Sequence, residues 1–278
     1  MSRNASHWIR IAVSYVFLTL VGVTMMFPLV WMLATSLKSP AAEALDLTQL
    51  LPTEKLRWDN YAIVTGETSF ARAFFNSAVV TLSITFGLVA TSSLAAFAFA
   101  RLNFSGRDKL FLGYLATMMV PGVVILIPLF ILLRKLGWID TYAALIIPPM
   151  FSAYGVFMLR QFFLTLPREL EEAATIDGCS KFGIYWRIIL PLSKTAIAAL
   201  AILTFIGTWR SFMWPLMVTY TNEMFTLPVA LTRYQETYGV QWPYLMAGSV
   251  VLVVPMLIVF VLGQRFFIEG IQVGAVKG

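Results

Sequence analysis

Few residues in this chain carry reactive side chains, and their scarcity limits the chemistry open to it. There is one histidine, His7, and one cysteine, Cys179, in 278 residues. A zinc site needs several Cys or His ligands, so no metal site is expected. A histidine-based catalytic triad is not expected either, because His7 lies in the N-terminal tail. No Gly-x-x-x-x-Gly-Lys-Ser/Thr phosphate loop is present. Two polar features remain. One is the acidic stretch holding Glu169, Glu171, Glu172 and Asp177. The other is Arg210, set in the apolar run Thr208-Trp209-Arg210-Ser211-Phe212-Met213-Trp214-Pro215. Neither is equipped to make or break bonds. Both are equipped for contact, with a partner protein in the first case and with a polar or anionic solute in the second.

Arg210 has two readings. An arginine near the middle of a membrane helix costs about 2.5–3.5 kcal/mol on insertion scales, so it must face a pathway or a partner. It either contacts substrate, through an anionic group or sugar hydroxyls, or pairs with a carboxylate of another subunit or with helix carbonyls. The chain's own apolar segments hold no carboxylate to serve it. Trp209, Phe212 and Trp214 offer faces for stacking on sugar rings, and they fit helix packing or an interfacial belt equally well.

The elements that must position these residues follow from composition. The chain is 59% hydrophobic and only 12% charged. Soluble domains carry about 25% charge. The reading is an all-α, polytopic membrane protein forming one domain over 1–278. The net charge of +6 fits basic residues flanking membrane spans; no compact basic face points to nucleic acid. A span needs about 20 apolar residues. Six runs qualify: 11–37, 73–100, 110–133, 141–159, 195–222 and 237–264, the fifth interrupted only by Arg210. Six crossings put both termini on one side. With that side cytoplasmic, twelve basic residues lie inside and seven outside, as the positive-inside rule requires. The first run is too long for a cleaved signal and reads as a retained signal-anchor helix. Pro121, Pro128, Pro148, Pro149 and Pro255 fall within the runs and mark candidate kinks. The outer loop 38–72 carries turn formers at Ser39-Pro40 and Leu51-Pro52.

The largest cytoplasmic connection contains a punctuated segment, about 167–191. Pro167 fits the first turn of a helix, and Glu169, Glu171 and Glu172 suit the positive end of its dipole. Gly178 fits a left-handed stop. The helix spans about three turns, too short to be stable alone in water, so it must dock on something. Leu170, Ala173, Ala174 and Asp177 recur at i, i+3, i+4 and i+7 and share a face. A second helix follows from about Ser180, a plausible N-cap, to Leu190. Pro191 ends it or kinks the way into the fifth run.

The string Glu172-Ala173-Ala174, then Gly178, Ile188 and Leu190-Pro191 resembles the EAA loop of binding-protein-dependent ABC importer permeases. The spacing is E-A-A, three residues, G, nine residues, I, one residue, L-P, and every fixed position is met. Asn76-Ser77, Trp209 with Trp214-Pro215, and the closing Gly274-Ala275-Val276-Lys277-Gly278 are similar to the carbohydrate-uptake branch, that of the maltose-type second permease subunit and its glycerol-phosphate-type relative. The resemblance implies that the helix is a coupling helix seated on an ATPase subunit. Glu172 would be its polar contact, Ala173 and Ala174 its close-packing face with Leu170 and Asp177 alongside, and Gly178 its turn. It implies residues 272–278 near the ATPase dimer, and the outer loop 222–241 near a docked binding protein. The implied partners are a second permease subunit, an ATP-binding subunit dimer, an extracytoplasmic solute-binding protein and the lipid bilayer, with ATP and Mg on the ATPase and no cofactor here. The implied location is a bacterial or archaeal cytoplasmic membrane. Sugars or related polyols are the expected cargo. Glycerophosphodiesters or uronates are the alternative, because relatives often hold asparagine where Arg210 stands. A stand-alone secondary transporter is a third reading, and the lack of paired carboxylates in the spans speaks against it. By chain continuity, the coupling segment leads into the fifth span and Arg210.

Overall fold

The computed structural model describes residues 3–39, 55–236 and 239–275. Helix dominates, because hydrocarbon offers no water to bond a backbone and each segment must satisfy its own N–H and C=O groups. Among the described residues, four helices are long and apolar enough to cross a membrane, and two bent helix pairs bring the number to as many as six.

The order is as follows. α1 covers Arg3–Ser36, α2 Asp59–Gly66 and α3 Thr68–Arg101. The third run, expected as one span over 110–133, is instead broken. α4 (Arg107–Ala116) passes through a tight turn, Thr117–Met119, to α5 (Gly122–Lys135), and the two halves are bent by 98°. Pro121 is the cause: it forces Val120 into extended backbone, at φ −81° and ψ 117°. The fourth run holds α6 (Tyr142–Ile146), a turn at Pro148–Met150, and α7 (Ala153–Thr165), which extends well past 159. Pro148 and Pro149 thus interrupt helix, whereas Pro128 and Pro255 sit inside continuous ones.

The punctuated segment 167–191 begins with α8, Glu169–Ile176. It is two turns rather than three, and Pro167 precedes it. Next come α9 (Lys181–Ile184), a widened π turn (Tyr185–Ile189) and α10 (Leu190–Leu192). Pro191 therefore does not end the helix. It cannot donate to the Arg187 carbonyl four residues back, and the widened turn falls immediately before it. The break comes at Ser193, where the chain bends by 77° into α11 (Lys194–Trp209). That bend precedes the fifth run, which is itself broken after Trp209, since helix resumes only at α12 (Met213–Val218). Pro215 would set its ring against the Ser211 carbonyl in a continuous helix. α13 (Leu227–Ala230), a tight turn Leu231–Tyr234 and a two-residue antiparallel pair, β1 (Gln235–Glu236) with β2 (Gly239–Val240), lead to α14 (Trp242–Ala275). The helix of the sixth run thus starts later and extends further than 237–264.

Two compact units emerge: Met1–Phe70 with Leu231–Val253, and Ala71–Ala230 with Val254–Gly278. In the first, Asn60 Nδ2 donates to the carbonyls of Ser36 (2.8 Å) and Lys38 (2.9 Å) and so ties α2 to the end of α1. In the second, α3 and α7 approach so closely that a Cβ on Gly155 would lie 2.5 Å from Ser92 Oγ. Phe97, Phe111, Leu159, Phe163, Ile184 and Tyr185 belong to its main buried cluster. Lipid tails are as apolar as these side chains, so helices gain little by hiding them from lipid. Tight packing and directional polar contacts hold such a unit together.

Candidate functional site

The sequence-selected residues fall into two places in the second unit. The first is α8. Its stop is a Schellman arrangement: Cys179 N–H donates to Ala174 O (2.9 Å) and Gly178 N–H to Thr175 O (3.0 Å). Gly178 makes this possible with φ +79°, a conformation that costs other residues energy. Ser180 caps the next helix by accepting from Gly183 N at 3.1 Å.

The helix divides into two faces. Glu171 and Ala174 turn toward the chain's own body, and Ala174 packs on the buried cluster beside Cys179. Glu172, Ala173 and Asp177 are exposed, as are Leu170 and Gly178. Ile176 is 87% exposed. The two alanines therefore do not share one open face. The open face is Glu172, Ala173 and Ile176, with Asp177 at its edge.

A residue outside the EAA string holds α8 in place. Arg101, the last residue of α3, sets Nε 3.0 Å from Glu171 Oε1, with side chains 2% and 14% exposed. Its Nη2 also donates to Leu166 O at 2.8 Å and to Phe163 O. These carbonyls sit at the end of α7, where intrahelical partners run out. A basic residue closing one apolar run and an acid in a later polar loop are the signal the sequence carries. Two turns back on α3, Ser93 Oγ and Tyr185 OH lie 2.7 Å apart.

The second place is the break after α11. Trp209 is 3% exposed, stacked on Phe205 (5.7 Å) and edge-on to Phe74 (5.5 Å). Trp214 Nε1 donates to Ala144 O at 3.1 Å. Both indoles line a cavity of about 280 Å³ that also presents Thr81, Thr208, Ser211 and Thr226. Arg210 and Phe212 do not line it. Arg210 caps α11 with an exposed side chain rather than sitting inside a continuous helix. Phe212 is 38% exposed.

The end of the unit away from α8 is tied by polar contacts across sequence. Asn76, fully buried, donates to Glu223 O (2.8 Å) and Phe225 O (2.9 Å) and accepts from Tyr142 OH (2.6 Å). Ser77 Oγ accepts from Leu227 N at 2.7 Å. Asp140, in the left-handed region at φ 61°, accepts from Tyr220 N (2.8 Å), Thr221 N (3.2 Å) and Thr221 Oγ1 (2.7 Å). Burial opposes ionisation of Asp140, but these donations prevail and hold its carboxyl below the ordinary value.

Residues 84–271 match the family described as binding-protein-dependent transport system inner membrane component. The chain is 39% identical over 272 residues to the arabinooligosaccharides transport system permease protein AraQ of Bacillus subtilis, covering 97% of this chain and 96% of that one. It is 41% identical over 205 residues to the sn-glycerol-3-phosphate transport system permease protein UgpE of Agrobacterium fabrum, 73% of each chain. Its fold is similar to a chain in the crystal structure of a bacterial ABC transporter involved in the import of the acidic polysaccharide alginate. The TM-score is 0.84 at 23% identity, covering 96% of this chain and 99% of that one.

Proposed function

Because the chain belongs to the family of binding-protein-dependent transport system inner membrane components, we propose that it forms half of the translocation pathway of an ATP-driven importer of oligosaccharides or related polyols. It is a transport subunit of the ABC permease class and not an enzyme; ATP hydrolysis belongs to a separate subunit. The observation that carries the reading is the open face of α8. A two-turn helix that leaves Glu172, Ala173 and Ile176 exposed is complete only against another protein. The EAA string lies on this helix, and the ATPase is its partner. A second permease subunit supplies the other half of the pathway, and a solute-binding protein docks outside. The bilayer receives the apolar outer surface. ATP and Mg bind on the ATPase.

In this reading the chain crosses six times, with α4–α5 and the segment from α11 through α12 as broken crossings and α8 as the coupling helix. The whole chain acts as one permease domain in a bacterial or archaeal cytoplasmic membrane. Both termini are cytoplasmic, on the strength of the basic residues there. Residues 272–275 run toward the ATPase dimer, and 276–278 lie outside the described residues, as do 40–54 of the first outer loop. Trp209, Trp214, Phe212 and Arg210 belong to the solute pathway, the indoles at its cavity wall and Arg210 on the exposed break. An anionic cargo, such as a glycerophosphodiester or uronate, is the second reading. It is favoured by the exposed Arg210 and by the likeness to a glycerol-phosphate permease.

The test is reconstitution. The subunit is co-purified with its ATPase and second permease, placed in liposomes, and supplied with binding protein and labelled arabino-oligosaccharide. Uptake that needs both ATP and binding protein is expected. Uptake by this chain alone, without ATP, overturns the reading.

A further inference from the structure

Resting on the reading of α8 as the ATPase contact, we propose that α8 is carried by α3 and not by α11. Arg101 is then the positioning residue that fixes α8 to the second span, and Ser193 the hinge that releases it from the fifth. Chain continuity suggests the opposite, since the coupling segment runs directly into α11. Between them, however, lie the π turn and the 77° bend at Ser193. There a single N–H is shared between Ile189 O (3.0 Å) and Leu190 O (3.1 Å). Element ends of this kind absorb changes in backbone angle at low cost.

The attachment to α3 is different in kind. Ser93, Phe97 and Arg101 recur at i, i+4 and i+8, so they form one stripe along the helix. Ser93 bonds Tyr185 at 2.7 Å, and the Phe97 ring lies 5.3 Å from that of Tyr185. Arg101 pairs with Glu171 and donates to the end of α7. The stripe thus holds the cytoplasmic segment on both sides of the Gly178 turn. The Ser93–Tyr185 and Arg101–Leu166 hydrogen bonds are directional and the Arg101–Glu171 ion pair is shielded, so breaking any of them leaves a buried group unpaired. α11 contributes Ala196 and Leu200 to the same cluster, and such apolar contact fixes no direction.

α3 also reaches the other side. It is one helix from Thr68 to Arg101 with no proline inside. At 1.5 Å per residue, Asn76 and Arg101 stand about 38 Å apart along it. Asn76 holds the carbonyls of Glu223 and Phe225. One rod therefore joins the ATPase contact to the outer loop ahead of α14.

The whole reconstituted complex tests this, in a Cys179→Ala background. Spin labels are placed by Leu94→Cys on α3, Thr175→Cys on α8 and Leu203→Cys on α11. On trapping ATP with loaded binding protein, the 94–175 distance stays fixed and the 175–203 distance shifts. A shift in 94–175, or no change in 175–203, overturns the proposal. In a second arm, Glu171→Gln retains ATPase co-purification and basal hydrolysis, but loses about ten-fold of the stimulation by loaded binding protein. Undiminished stimulation also overturns it. Ala173→Trp separates the underlying reading: if the ATPase still co-purifies, α8 is not the contact, whatever the labels report.

Discussion

Arg101 and Glu171 are 70 positions apart in sequence and 3.0 Å apart in the fold, and theirs is the most shielded ion pair among the described residues. Removing one member leaves the other buried without a counter-charge, which costs about 3–5 kcal/mol. Arg101→Ala and Glu171→Ala each lower the unfolding midpoint of the detergent-purified protein. The double variant falls by less than the sum, because the second change has no pair left to break. Strict additivity in that cycle would show that the two side chains do not interact.

Gly178→Ala tests the stop of α8. No atom lies within 4 Å of a Cβ built there, so the cost is that of φ +79° alone, about 1–2 kcal/mol for an L-residue. Gly178→Asn costs less, because asparagine visits this region more readily. Equal thermal midpoints for the parent and the alanine variant would contradict the assignment.

Asn76 uses both ends of its amide, donating twice and accepting once. Asn76→Ala forfeits three hydrogen bonds in a buried place, about 3 kcal/mol in all. Asn76→Asp is worse, since a carboxylate faces two carbonyl oxygens. A protease added to the outer side of sealed vesicles should cut near 223–227 faster in both variants, and fastest in Asn76→Asp.

The carboxyl of Asp140 is held below its ordinary value by Tyr220 and Thr221. A depressed folded value means that the stabilisation is complete above the unfolded carboxylate range, near pH 4, and is lost as pH falls through the folded value. Melting midpoints measured from pH 7 downward therefore drop in acid. Asp140→Asn keeps the left-handed backbone and one acceptor oxygen but removes this component of the slope. It also lowers stability at pH 7, by about 1.5 kcal/mol.

Arg210→Asn leaves subunit assembly intact and weakens transport, read as a lower uptake rate or a raised KM in proteoliposomes. Because Arg210 is exposed at a helix break, the substitution disturbs no buried contact in this chain. Unchanged uptake kinetics would remove Arg210 from the solute pathway.

What the sequence determined by itself is local. Low charge and long apolar runs require membrane helices, because no other solvent accepts them. The spacing from Glu172 to Pro191 marks one punctuated segment, and Gly178 and Ser180 punctuate it through backbone and cap preferences that act within a turn. The helix breaks at Pro121 and ahead of Pro215 are also local; Pro121 is among the candidate kinks, whereas a criterion based on uncharged length passes over Pro215. What only the tertiary structure decided depends on which helices cross. Hydropathy gives Arg101 and Glu171 no address for each other, and their pairing needs α3, α7 and α8 to converge. Ala173 and Ala174 are equivalent in the motif, yet the packing of α8 on the buried cluster leaves one open and covers the other. Trp209 offered a free face in sequence, and Phe74 and Phe205 occupy it in the fold. Side-chain chemistry is carried by the residue, but its partner is supplied by a distant segment, and only the folded chain brings the two within bonding distance.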